Sequence, residues 1–163
     1  MIMDKRIPKR RFNQLVKKLH EIANNHDVTL KIHTGKAASF YDVLNKHIQI
    51  GIGKGVCQGE SYMLSMFFHE LGHHVAYTNK KYIIYHEFAE DFVHEETVER
   101  MKIFVRTALK AERYVDKIGQ ELMKQYFPKG KYYAAHFDPE VVKFVRELYI
   151  GQVVEHLKSI DAY

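Results

Sequence analysis

The chain has 163 residues, with 46% hydrophobic and 28% charged side chains. These are ordinary globular proportions, which exclude a disordered or fibrous polymer and suit one domain spanning residues 1–163. A single cysteine, Cys57, excludes an internal disulfide framework, and the formal net charge of +5 leaves an acidic partner or nucleic acid open.

The first residues are basic but no apolar run follows them, so they do not read as a secretory leader. No uncharged stretch approaches the roughly 20 residues that cross a bilayer. The sequence therefore predicts a cytoplasmic protein without a membrane span.

Pro8 to Asn25 reads as a first helix, because Phe12, Leu15, Val16, Leu19, Ile22 and Ala23 recur at three- and four-residue steps. Basic residues precede and separate them, including Lys9, Arg10, Arg11, Lys17 and Lys18. Such a run is either a docking face for nucleic acid or an acidic partner, or a solvated helix face.

Val28 to His33 alternates apolar and polar side chains as a half-buried strand does, Phe40 to Val43 suggests a second strand, and His47 to Ile52 alternates again. Asn45-Lys46 is a plausible hairpin turn between the last two. The expectation is an antiparallel or mixed sheet of about three strands. The glycines at 51, 53, 55 and 59 match no phosphate-loop spacing and read as loop residues.

Glu60 to Tyr77 is helical in pattern, with Ser61 as a possible cap, and apolar on much of its surface, so it should be buried. Residues 78–96 are irregular and rich in acidic, aromatic and histidine side chains. Thr97 to Phe127 reads as one long helix or two stacked ones, ended by Pro128 and Gly130. Asp138-Pro139-Glu140 would cap a last helix to about Ser159. The fold class is α+β: a small sheet packed on a buried helix, followed by a helical C-terminal half.

The buried helix contains His69-Glu70-Leu71-Gly72-His73, which is H-E-x-x-H. Histidines four apart lie one turn apart on one face, so both imidazoles can reach one ion. Zinc suits nitrogen and oxygen ligands in tetrahedral geometry. Glu70 is displaced around the helix from both histidines, which lets it address a water at the ion as a general base. His74 points about 100° away from His73 and reads as structural.

A catalytic zinc site needs a third protein ligand. Ala76 and Asn79 stand where the longer metzincin motif requires Gly and His, which excludes that solution. Glu112-Arg-Tyr-Val-Asp116 offers a carboxylate ligand, Glu112, and one turn on an acid, Asp116, that could accept the outer N–H of His69 or His73. His86, Glu87, Glu90, Asp91 and His94 are competing ligands. Tyr77, Tyr82, Tyr85, Tyr114 and His136 are chemically able to donate to an oxyanion.

Phe68 to His73, the strand-like His47 to Gly51 before it, and Glu112 to Asp116 together resemble the ImmA/IrrE-type metallopeptidases, over roughly residues 28–125. Tyr114, Val115, Ile118 and Gly119 depart from the later motif common in that family. The resemblance implies a gluzincin-like zinc peptidase with His69, His73 and Glu112 as ligands, Glu70 as base and a peptide or protein substrate. His47 to Ile52 would then be either a sheet edge that pairs with an extended substrate or an ordinary core strand. The contrasting expectation is a regulatory protein whose metal is structural, closed by a fourth ligand such as His86 or His94.

Overall fold

A computed structural model describes residues 7–33, 39–52, 59–81 and 98–130, except for the side chains of residues 98–105, 108 and 109. The expected helix at 138–159, residues 82–96 of the expected irregular stretch and Thr97 lie outside the described residues. The fold is α+β, with elements in the order α1 (Lys9–Asn25), β1 (Thr29–His33), β2 (Phe40–Asp42), β3 (His47–Gly51), α2 (Glu60–Thr78) and α3 (Val98–Tyr126). No described helix is long and apolar enough to cross a membrane.

The helix α1 buries Leu15, Leu19, Ile22 and Ala23, the stripe that the spacing predicts. Asp27, at φ 56°, turns the chain at its end. There the Val28 and Asp27 N–H groups bond to the carbonyls of Ala23 and Asn24, which closes the helix as a Schellman motif. α2 ends in the same way around Lys80, also at φ 56°, with Lys81 bonded to Ala76 and Lys80 to Tyr77. Neither end uses glycine.

The sheet is mixed, in the order β1-β3-β2. β1 pairs with β3 in parallel, Leu30 opposite Ile48 and Ile32 opposite Ile50. β2 pairs with β3 antiparallel, Tyr41 opposite Ile48. The β2–β3 turn forms where it was expected. The Asp42 carboxylate accepts the N–H groups of Leu44 and Asn45, and Lys46 adopts φ 46°. Such an Asx turn makes glycine unnecessary.

Of the two readings of His47 to Ile52, the core strand is the one found: β3 is paired on both sides, and among the described residues the sheet edges are β1 and β2. Alternation of apolar residues says which face is buried, not which strand is the neighbour. Ser61 does not cap α2, because the cap position is Gly59 and Ser61 already lies inside the helix. There its carbonyl accepts the Ser65 hydroxyl at 2.7 Å. The first turn instead carries Glu60, favourably placed at a helix N-terminus and gripped by Arg11 through two hydrogen bonds of 2.7 and 3.0 Å.

Among the described residues, α2 is central. Met63, Leu64, Phe67, Phe68 and Leu71 are all buried and join α1 and the sheet in one core. Its other side meets α3, where Ala111, Val115 and Met123, at multiples of four, are buried. The two helices run antiparallel: Phe68 stacks on Tyr126 and meets Phe127 edge-on, while Gly72, a turn later, meets Val115. Lys18 of α1 secures the far end of α3, donating to the Tyr126 carbonyl at 3.1 Å with its ammonium over the Phe127 ring.

Candidate metal centre

On each helix the candidate ligands follow the packing stripe by one residue. His69 and His73 come after Phe68 and Gly72, and Glu112 and Asp116 come after Ala111 and Val115. Packing one stripe against the other therefore brings the polar residues face to face.

The atoms that meet are His69 Nε2, His73 Nε2 and Glu112 Oε2. The two nitrogens are 3.1 Å apart. The carboxylate oxygen lies 3.2 Å from the first and 3.6 Å from the second. Tetrahedral coordination at about 2.0 Å from an ion requires donor atoms roughly 3.3 Å apart, and the three separations bracket that value. Among the described residues these three form the one cluster whose donor atoms converge closely enough to hold a metal ion.

Hydrogen-bond chemistry points the same way. The outer nitrogen of His69, Nδ1, lies 3.0 Å from Asp116 Oδ1, both side chains being buried. With a proton on Nδ1 facing that carboxylate, a neutral His69 presents a lone pair at Nε2 towards Glu112 and His73. A hydrogen can bridge one of these contacts, whereas a cation satisfies all three together. Asp116 thus stands where a residue that fixes the tautomer of a ligand histidine must stand.

In the metal-free arrangement a proton plays the cation's part. Burial, the largest influence on His69, opposes its charged form. Hydrogen bonds that His69 donates to Asp116 and Glu112, with the charges of Glu70 and Glu112, outweigh it and raise the imidazole to about 10.

Glu70 is buried on the neighbouring face. Burial pushes its carboxyl up, to about 7, against the opposing pull of His69; the Glu112 charge adds to the rise, and a hydrogen bond from the Tyr41 main-chain N–H works against it. A carboxylate near neutrality is suited to taking and returning a proton. The Tyr41 contact also ties Glu70 to β2, an edge strand.

His74 is structural in its surroundings, as its position on the helix suggests. Its Nδ1 lies 2.9 Å from the Tyr41 hydroxyl, and its ring donates to the His26 carbonyl. Burial lowers its pKa, which favours the neutral ring. Tyr77 and Tyr114 are half-buried, while Tyr82, Tyr85, His136 and the competing ligands from His86 to His94 lie outside the described residues.

Two contributors were not singled out from sequence. Tyr41 gave no signal, because its contacts with Glu70 and His74 join residues far apart in the chain. Gly72 did give one: a glycine inside an apolar helix costs about 1 kcal/mol relative to alanine, which implies a packing reason.

No family model, curated protein or solved structure matches this chain. The site therefore stands on its geometry: a His-His-Glu group, His69 buried and His73 and Glu112 half-buried, able to hold a metal ion.

Proposed function

We propose that this protein is a zinc-dependent metallopeptidase of gluzincin type, with His69, His73 and Glu112 holding the ion and Glu70 acting as general base. The observation that carries this reading is the convergence of three donor atoms at 3.1–3.6 Å with a buried carboxyl poised near 7 beside them. The residues fit zinc in donor type, number and spacing, since a catalytic site keeps three protein ligands. This agrees with the resemblance to ImmA/IrrE-type peptidases, which rests on the motif residues.

Bound zinc would supply Lewis acidity, making water more acidic and a peptide carbonyl more electrophilic. Glu70 would serve as the base of such a hydrolysis, its carboxylate taking up a proton and giving it to the departing amine. Asp116 holds the His69 ring in the tautomer that leaves Nε2 for the ion. The Tyr41 N–H keeps the Glu70 carboxylate against β2.

The partner is a peptide or protein substrate, and the compartment proposed is the cytoplasm. The contrasting reading, a basic docking face with a structural metal, has less support. Arg11 is committed to Glu60 and Lys18 to the end of α3, so part of the basic run serves the fold.

The test is hydrolysis of fluorescein-labelled casein by wild-type and Glu70→Gln protein, with zinc measured on both. The expected result is a fall of about 10²- to 10⁴-fold with zinc retained. Equal hydrolysis by the two would remove Glu70 from the chemistry. No hydrolysis by zinc-loaded wild-type protein would speak against the peptidase reading.

A further inference from the structure

Gly72 lies where α2 and α3 touch backbone to backbone. A Cβ placed on it would stand 2.7 Å from the Val115 carbonyl oxygen, 3.1 Å from Val115 Cγ1 and 3.4 Å from the Gly119 nitrogen. The carbonyl belongs to the main chain of a long helix and cannot swing aside as a side-chain tip would. Gly72 comes three residues after His69, and Val115 three after Glu112. The contact thus sits within one turn of both ligand positions.

We propose that Gly72 is a positioning residue for the metal centre: its missing Cβ permits the close α2–α3 approach that carries the Glu112 carboxylate into reach of His69 and His73. This inference rests on the metal-binding reading above.

Magnitudes favour it. An alanine Cβ must move from 2.7 to at least 3.0 Å from the carbonyl, an opening of 0.3 Å or more. Metal sites tolerate deviations of about 0.2 Å in their ligand distances. Glu112 rides on α3 and moves with it. The separation of His69 from His73 is internal to α2 and stays as it is. An opened site therefore loses fit to zinc and gains relative fit to a larger ion of the same charge, such as Cd²⁺.

The experiment measures Zn²⁺ and Cd²⁺ affinity of the full chain by competition with a chromophoric chelator, for wild type and Gly72→Ala, with circular dichroism as a check on folding. Zinc affinity should fall about 10- to 100-fold, the range seen when support around a metal site is disturbed. Cadmium affinity should fall less, so that the preference between the ions moves towards cadmium. Val115→Ile thickens the same crossing while keeping Gly72. It should give a smaller shift of the same sign, and it decides the matter if Gly72→Ala does not fold. A folded variant with unchanged affinities, or with both ions weakened equally, overturns the positioning role alone. Wild-type protein that binds neither ion overturns the metal reading, and this inference with it.

Discussion

His73 and His74 follow one another on α2, yet their imidazoles meet different chemistry. His74 is matched by ordinary donors and acceptors, the Tyr41 hydroxyl at 2.9 Å and the His26 carbonyl. His73 faces another imidazole nitrogen at 3.1 Å and a carboxylate oxygen at 3.6 Å. A buried histidine that serves the fold finds complementary partners. One that serves a metal lies among other electron-pair donors at a spacing that one ion can bridge. The difference between the two neighbours is a physical criterion for the site that is independent of any motif.

Breaking each side of this comparison should give separable outcomes. Asp116→Asn keeps the shape but removes the charge that holds His69 in its ligand tautomer. Zinc affinity should fall about 10- to 100-fold by chelator competition. Unchanged affinity would reduce the 3.0 Å contact with His69 to packing. Tyr41→Phe removes a hydroxyl from the His74 side only. The expected loss is about 1 kcal/mol of stability in urea unfolding, with zinc affinity preserved. A large fall in zinc affinity would mean that the two clusters are coupled.

The metal-free protein should also respond to pH with a definite sign. Both shifted groups bind their protons more tightly in the folded chain than in the unfolded one. The contribution of Glu70 is complete below about 4.5 and lost as pH rises through about 7, and that of His69 is complete below 6.5 and lost as pH rises through about 10. Chelator-treated protein should therefore melt at a lower temperature near about pH 9 than near about pH 6. Zinc, which competes with the His69 proton, should raise the melting temperature more at the higher pH. A melting temperature that climbs on alkalinisation would contradict the assignment of these groups.

Much of this was legible in the residues, for reasons that differ by element. α1 and α2 announce themselves because a helix repeats its buried face every three to four positions, and that period survives in the sequence. The spacing of His69, Glu70 and His73 fixes their faces without knowledge of the rest of the fold. Glu112 and Asp116 are legible as a pair one turn apart, but their meeting with His69 depends on how α3 crosses α2. Gly72 inside the apolar helix signals a close contact, but its partner across the crossing, Val115, is a long-range neighbour that no local pattern encodes. The order of the strands is hidden for a similar reason. β1 and β3 carry similar alternation, and the neighbour relation that places β3 in the middle comes from long-range pairing.

The central claim is that two imidazoles and a carboxylate from antiparallel helices share one cation. Elemental analysis of the purified full chain, wild type beside Glu112→Ala, tests it most directly. The expected result is a single zinc ion per wild-type chain and a marked loss from the variant, with the circular dichroism of the two alike. Wild-type protein that takes up no metal on zinc addition, or a variant that retains it fully, would contradict the claim.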